Sequence, residues 1–359
     1  MAIRVAHVGT GNVGRLALKH LILDDRFELT GLCVSTEEKL GRDAGELAGL
    51  DIVTGISAVG DLDALLATEP DCVMYCALGE VRFFEAIEDV KKLLAAGVDV
   101  CGTSPGSYAW PWKVLPASFI EQMEDACREG RSSLFINGVD PGWANDLMAF
   151  SVLSTCRTVQ QIRVLELADY ATYDGAPVMI DVMGFGMGPD QIPMLLTPGV
   201  LKSAWGTTIH QIAAGLGIEV DDIEESYERE WATEDLEVAV GTIHAGTQSA
   251  LRFEVRGMVA GHPAIVVEHV TRTADDQRPD WARPAQEGGS YRIEITGEPS
   301  YVVDICPTSA EGDHNHAAIL VGAGRVVNAI PDVVAAAPGI RTTLDLPVAT
   351  GRGVYAPPA

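Results

Sequence analysis

The pattern of apolar and polar positions changes character about 150 residues into the chain. Before that point, short continuous apolar runs alternate with segments whose apolar residues recur at helical spacing. The runs are predicted to be buried strands, at residues 3–8, 27–34, 71–78, 98–102 and 133–136. Strands and helices that alternate in this way predict a doubly wound parallel sheet with right-handed crossovers.

Beyond residue 150, single apolar and polar residues alternate instead. This alternation predicts strands at residues 159–170, 226–232, 249–255, 265–273, 291–296 and 301–306. Because these strands follow one another with turn signals between them, they indicate a mostly antiparallel sheet. Helical spacing returns at residues 193–217 and 317–337, where Pro331 is expected to interrupt the last helix.

These patterns predict an α/β protein in three parts. Residues 1–150 form the parallel-sheet domain, and residues 151–316 form an α+β domain with a mostly antiparallel sheet. Residues 317–359 form a C-terminal helix and tail that return to the first domain. The second domain is expected to supply a substrate pocket and a homodimer interface.

Composition and charge narrow the classes of partner. The chain of 359 residues carries 51 acidic and 25 basic side chains, a net charge of −26 that argues against nucleic acid and anionic membrane. No apolar run approaches the roughly 18–20 residues of a membrane span, and no secretory leader pattern opens the chain. The 7 cysteines are irregularly spaced without a C-x-x-C pair, which favours free thiols in the cytoplasm.

Three glycines follow the first predicted strand at G-x-G-x-x-G spacing: Gly9, Gly11 and Gly14. Gly9 permits a tight turn, Gly11 lets the backbone approach a pyrophosphate, and Gly14 lets helix and strand pack closely. The pyrophosphate would then lie at a helix N-terminus, where free N–H groups face it. With a strand before and a helix after it, the loop predicts a Rossmann dinucleotide-binding domain, in which Thr10, Asn12 and Val13 also contact the cofactor.

The end of the second strand bears on which dinucleotide binds. Where an acid would hold the ribose of NAD, the chain has Ser35 and Thr36, with Lys39 and Arg42 nearby. Small hydroxyls and cations suit a 2′-phosphate, whereas Glu37 could still reach a ribose. The cofactor is therefore predicted as NADP(H) or NAD(H), with dual use allowed. The alternative is a solvated loop with two surface cations.

Further site residues are expected at the carboxyl ends of the strands, where ligands bind in such sheets. For the cofactor they are Leu78, Gly79, Thr103 and Gly138, and for the substrate pocket Ser104, Tyr108, Trp110, Trp143 and Met183. Core packing is the equal alternative for the aromatic residues and for Met183. No metal site is predicted, because the His-rich residues 313–316 lack further ligands at suitable spacing and suggest a solvated loop.

Several motifs spread over nearly the whole chain resemble one family. Besides the glycine loop they are residues 39–47, 61–66, 140–143, 171–174, 328–331 and 336–340. Together they are similar to the dihydrodipicolinate-reductase-like group that includes 2,4-diaminopentanoate dehydrogenase and the native amine dehydrogenases. The resemblance implies oxidative deamination of an amine, or its reverse, with NAD(P)H. A carbonyl or imine reductase without amination and a non-catalytic dinucleotide sensor are the alternatives.

The sequence departs from that group at one important place. Native amine dehydrogenases have a Glu in the loop after the fifth strand, but residues 103–116 contain no acid here. Instead, Asp140 opens a D-P-G turn after the sixth strand and is a candidate for proton transfer or for holding an ammonium ion. The alternative is a helix N-cap with Pro141 as the first helical residue. Tyr173 could donate a proton if its pKa is lowered; otherwise it is a packed tyrosine.

Overall fold

A computed structural model describes residues 2–79 and 82–355. Its strands are β1 Ile3–Val8, β2 Phe27–Cys33, β3 Ala58–Val59, β4 Cys72–Tyr75, β5 Asp99–Gly102, β6 Ser133–Ile136, β7 Thr158–Asp169, β8 Asp222–Trp231, β9 Leu236–Val238, β10 Gly241–Ile243, β11 Gln248–Val259, β12 His262–Arg272, β13 Gly289–Glu298, β14 Tyr301–Ile305 and β15 Gly339–Arg341.

The α-helices are α1 Asn12–Leu23, α2 Ala44–Leu47, α3 Leu62–Leu66, α4 Phe83–Ala95, α5 Ala117–Gly130, α6 Leu147–Leu153, α7 Val200–Leu216 and α8 His314–Val334. Short 3-10 helices occupy Glu37–Lys39, Gly106–Ala109 and Met194–Leu196, and a π-helical turn occupies Pro177–Val182.

Two compact units divide the chain, one formed by residues 1–139 with 319–359 and the other by residues 140–318. The sequence analysis divided the chain at residue 150, so residues 140–150 lie in the second unit rather than the first. The tail after α8 lies in the first unit.

The first unit contains a seven-stranded parallel sheet, which confirms the predicted Rossmann-type architecture. Its strand order is β15-β6-β5-β4-β1-β2-β3, with β1 paired to β2 on one side and to β4 on the other. The order reverses beside β1, which makes the carboxyl end of β1 the switch point where such sheets bind ligands. Strand β15, paired with β6, was not predicted from the sequence.

Helix α8 packs into the core of the first unit. Ala323, Val326 and Ile330 are fully buried in one cluster with Val5 and Phe135. The helix continues through Pro331 to Val334, so the predicted interruption is wrong. Its 21 residues are apolar enough to cross a membrane by length and composition alone, but half of that window is buried inside the protein, as in the core helix of a globular domain.

The second unit is built on a six-stranded sheet in the order β14-β13-β7-β12-β11-β8. Every neighbouring pair is antiparallel except β7 with β12, which confirms a mostly antiparallel sheet. Helix α7 covers one face through Ile209 and Ile212, which share an apolar cluster with Phe253 and Val267. Glu225 on β8 accepts hydrogen bonds from the N–H groups of Gly199 and Lys202, and so stabilises the start of α7.

The opposite face of this sheet is charged. Arg163 and Arg252 pair with Glu268, Glu254 and Glu228 at 2.8 Å or closer, and a cavity of about 350 Å³ lies above them. The two faces therefore differ sharply, because alternate residues of each strand point to opposite sides.

Candidate active site

The glycine loop leaves a space where a pyrophosphate would lie. A Cβ atom on Gly9 would stand 2.7 Å from the carbonyl oxygen of Cys76, and one on Gly14 would stand 2.3 Å from that of Gly9. A Cβ atom on Gly11, by contrast, would meet no atom within 4 Å. Gly11 also precedes α1, whose N-terminus has no side-chain cap and is the kind of helix end at which an anion can bind. Asn12 and Val13 form that first turn.

His7 on β1 supports this loop and was missed in the sequence. It is fully buried, and its Nε2 atom lies 2.6 Å from the carbonyl oxygen of Gly9. Burial lowers the pKa of His7 to about 4, so the ring is neutral and its Nε2–H donates to Gly9. The strand thereby fixes the turn at the start of the glycine loop. A polar residue inside the apolar run 3–8 was the available signal.

The two predicted cations behave differently. The Nζ atom of Lys39 donates to the carbonyl oxygen and to the Oγ1 atom of Thr10, at 3.1 and 3.0 Å, so Lys39 lies against the glycine loop. Arg42 instead pairs with Glu46 at 2.9 Å on the surface of the unit. Ser35 and Thr36 are exposed at the end of β2.

Other predicted residues gather at the same edge of the first unit. Leu78 is 49% exposed beyond β4. A Cβ atom on Gly79 would stand 2.0 Å from Oγ of Ser104, so these two residues are in contact after neighbouring strands. The Ser104 hydroxyl is buried and has no hydrogen-bond partner within the described residues. Thr103 and Gly138 follow β5 and β6, which end at this edge because the strands are parallel.

Two predicted pocket residues belong to the cores instead. Tyr108 is fully buried and its hydroxyl donates to the carbonyl oxygen of Phe119 at 3.1 Å, so it has no surface for a substrate. Met183 is 6% exposed within the apolar cluster of the second unit. Trp110 and Trp143 are partly buried, and the ring of Trp110 packs edge-on against that of Trp112.

Asp140 is not a helix N-cap, and that alternative is wrong. Helix α6 begins only at Leu147, and its cap is Asp146, whose side chain accepts from the Leu147 N–H. The Oδ1 atom of Asp140 accepts hydrogen bonds from Nδ2 of Asn145 at 2.6 Å and from Nε1 of Trp205 at 3.3 Å. Its other oxygen, Oδ2, is left free for a different partner.

That oxygen faces two further titratable residues. His269 Nε2 lies 3.1 Å from Asp140 Oδ2, and Glu166 is the register partner of His269 across the parallel pair β7 and β12. Polar atoms of the three side chains lie within 4.8 Å of one another. Glu166 Oε1 accepts from the Tyr170 hydroxyl at 2.8 Å. The Nε2–H of His269 does not point squarely at Asp140 and makes no hydrogen bond within the described residues.

Burial and mutual charge set the protonation of this group of three, which we call the acid–histidine cluster. Burial alone would lower the pKa of His269, but the carboxylates of Asp140 and Glu166 outweigh it and raise the pKa above its ordinary value. Burial also raises the pKa of Glu166, with Asp140 adding to the effect and His269 opposing it. His269 therefore holds its proton to a higher pH than an exposed histidine would.

Tyr173 does not meet the condition set for a proton donor. Its ring stacks on Tyr170 with centroids 5.0 Å apart. Burial raises the pKa of Tyr173, and Asp174 and Glu166 raise it further, whereas a catalytic acid would need a lowered pKa. The structure favours the packed-tyrosine alternative.

Sequence reasoning missed Glu166 and His269, although the strands carried a signal. Glu166 shares its strand face with Ile162 and Val164, and His269 shares its face with Val267, all of them in the apolar core. A charged residue at a core-facing position of a strand is uncommon and is often functional. The expected solvated loop at residues 313–316 is also wrong, since His314 is buried and begins α8.

Comparisons with known proteins show the family of the chain. The family model of the 2,4-diaminopentanoate dehydrogenase C-terminal domain matches residues 144–353. An amine dehydrogenase of Streptomyces virginiae is 38% identical over 348 residues, 96% of each chain. A 2,4-diaminopentanoate dehydrogenase of Acetoanaerobium sticklandii is 24% identical over 96% of this chain and 94% of its own.

The solved structure of an amine dehydrogenase from Mycobacterium smegmatis is 18% identical and superposes with a TM-score of 0.79, covering 99% of this chain and 98% of its own. That structural similarity shows the fold, and the sequence matches show the family. The chain belongs to the family of amine dehydrogenases and 2,4-diaminopentanoate dehydrogenases, which makes it a nicotinamide-dinucleotide-dependent oxidoreductase.

Proposed function

We propose that the protein interconverts a primary amine with the corresponding ketone or aldehyde and ammonia, and that Asp140 is its principal proton-transfer group. Family membership supports the reaction on amines. The observation that carries the role of Asp140 is its position in the buried acid–histidine cluster, with Oδ1 fixed by Asn145 and Trp205 and Oδ2 facing His269 at 3.1 Å.

The charge of the cluster suits a nitrogen cation. It contains two carboxylates and one imidazole, and no lysine or arginine contacts it within the described residues. A buried site with excess negative charge favours an ammonium or iminium group over a neutral or anionic one. Asp140 would therefore hold the nitrogen and accept its proton, a role that the acid-free loop 103–116 does not offer.

The same charges point to the substrate class. A carboxylate beside the amine would meet the carboxylates of Asp140 and Glu166 with only His269 to offset them, at a cost of several kcal/mol in a buried site. Aromatic rings of Trp205 and Phe253 pack on His269 and give the cluster an apolar surround. We therefore expect amines and ketones without a neighbouring carboxylate, in contrast to a 2,4-diaminopentanoate.

The first unit supplies a fitting place for the cofactor. The open space at Gly11, the uncapped start of α1 and the unpartnered Ser104 hydroxyl all suit a dinucleotide. When bound, it supplies or accepts the hydride. Lys39 beside Thr10 favours NADP(H), while Arg42, paired with Glu46, adds little; NAD(H) remains a second cofactor. We further propose a cytoplasmic homodimer.

A screen of amines, ketones and aldehydes with ammonium and each dinucleotide, followed by nicotinamide absorbance, tests the proposal. Turnover of simple amines, and of ketones only when ammonium is present, is the expected result. Ketone reduction without ammonium would instead indicate a carbonyl reductase. Dinucleotide binding without any turnover would indicate a non-catalytic dinucleotide sensor.

A further inference from the structure

The acid–histidine cluster contains more groups than a single proton acceptor requires. Amination of a ketone needs a proton acceptor at the nitrogen and a proton donor at the oxygen that leaves as water. Asp140 serves the first need as an ionised carboxylate, and while ionised it has no proton to donate at the oxygen. His269 is the remaining titratable group in contact with it.

We propose, resting on the proposed function, that His269 is a second catalytic residue, which protonates the departing hydroxyl of the carbinolamine, and that Glu166 is the positioning residue that keeps His269 charged. The Nε2–H of His269 is buried and is not aligned for a hydrogen bond to the nearby Asp140 carboxylate, so it is available to a substrate oxygen. It lies 3.1 Å from the oxygen that would accept a proton from ammonium.

The proton balance closes within these two side chains. Asp140 takes a proton from ammonium, and the resulting ammonia adds to the carbonyl carbon to give a carbinolamine. His269 gives its proton to the hydroxyl oxygen, the C–O bond breaks, water leaves, and the nitrogen lone pair forms the C=N bond. The proton held by Asp140 then passes to the neutral imidazole. One ammonium, one carbonyl and one hydride thus yield one amine and one water.

The surroundings of His269 fit a charged, fixed imidazole. Its ring stacks on Phe253 at 4.7 Å and meets Trp205 edge-on at 4.8 Å. Asp140 from the turn after β6 and Glu166 from β7 face it, and Glu268, next to it on β12 with its side chain on the charged face of the sheet, also helps to raise its pKa. The facing hydroxyls of Tyr170 and Tyr291 have raised pKa values through burial and remain neutral. Glu166 is itself held by the Tyr170 hydroxyl.

A comparison of two substrates separates this role from a structural one. A cyclic imine already contains the C=N bond, so its reduction requires no loss of water. His269→Asn should lower kcat for amination of a ketone by roughly 10²-fold or more, while reduction of the cyclic imine stays within a few-fold of wild type. The matched control is His262→Asn at the exposed start of the same strand, which should change neither rate.

A second measurement follows the charge of His269 without turnover. Its imidazole NMR signal, identified by its loss in His269→Asn, should titrate above the ordinary pH range of histidine, and Glu166→Gln should move the midpoint downward. The alkaline limb of the amination profile should move with it.

Equal loss of both reactions in His269→Asn, or an unchanged amination rate, would overturn the role of His269 while leaving the proposed function intact. An unmoved midpoint in Glu166→Gln would overturn the role of Glu166, and zinc that binds the cluster and removes the His269 proton at neutral pH would overturn both roles. A wild-type enzyme inactive on amine, ketone and imine would overturn the proposed function itself and this inference with it.

Discussion

The Nε2 atom of His269 lies 3.1 Å from the Oδ2 atom of Asp140, on side chains that are 7% and 2% exposed. Neither side chain has room to turn away, since Phe253 and Trp205 pack on the imidazole and Asn145 holds the carboxylate. The two groups are therefore held close together by their surroundings. Such preorganisation is the usual source of catalytic advantage in buried sites.

Asp140→Asn removes the proton acceptor but keeps the shape of the side chain and an oxygen for Asn145. We expect kcat to fall by roughly 10²–10⁴-fold, with dinucleotide affinity unchanged because the glycine loop is untouched. Steady-state kinetics and cofactor titration measure the two effects. Asp146→Asn is the matched control, because Asn caps a helix about as well as Asp. Wild-type turnover in Asp140→Asn would move the proton transfer to another group.

Gly11→Val places a branched side chain in the open space before α1. Since a Cβ atom there meets no protein atom, the fold should survive with little change in thermal stability. The pyrophosphate would lose its place, so affinity for both dinucleotides should fall by at least 100-fold. Calorimetric titration checks this, with Gly324→Ala in α8 as a control that also adds a Cβ in open space. Equal affinity in wild type and Gly11→Val would contradict the site.

Lys39→Ala tests the preference between dinucleotides. The ammonium of Lys39 already reaches the glycine loop, and a charge-assisted contact to a 2′-phosphate contributes about 1.5–3 kcal/mol. NADPH affinity should therefore fall roughly 10–100-fold, and NADH affinity much less. Arg42→Ala is the matched control, since its ion pair with Glu46 directs it elsewhere. An equal fall for both dinucleotides in Lys39→Ala would show that Lys39 does not contact the 2′-phosphate.

Arg272→Lys tests what holds the loop between β12 and β13 in place. The Arg272 guanidinium is 4% exposed and donates to the carbonyl oxygens of Gln277, Arg278 and Ala282. Burial lowers its pKa to about 10, so it stays charged at neutral pH. Lysine cannot span three acceptors in that planar arrangement. Limited proteolysis of residues 273–288 should become faster, whereas the surface variant Arg292→Lys should leave it unchanged.

The sequence predicted those parts of the molecule that rest on local pattern. The alternation of core-facing and solvent-facing residues predicted the long strands of the second unit, and three glycines predicted the turn between β1 and α1. Strand β15 escaped because three residues after a helix carry too short a pattern to recognise. Tyr108 was misplaced because an aromatic residue in a loop has the same composition signal whether its ring faces a pocket or a core.

The acid–histidine cluster could not be assembled from the sequence, because it depends on strand register. Glu166 and His269 are far apart in the chain and meet only because β7 and β12 pair in parallel, the single parallel pair of that sheet. A shift of one residue would have moved His269 to the charged face. The sequence did single out Asp140 as a candidate. The absence of an acid from residues 103–116 and the acid in the D-P-G turn are both visible without coordinates.

The pairing of β15 with β6 has a consequence for the order of folding. In the chain, the second unit is inserted between the two segments of the first unit. The core of the first unit therefore includes α8 and β15, which are synthesised last. On the ribosome, residues 1–139 emerge early but lack these partners, whereas residues 140–318 are contiguous and can fold as soon as they are released. The inserted unit should therefore mature first, and the Rossmann sheet should close only when synthesis is nearly finished.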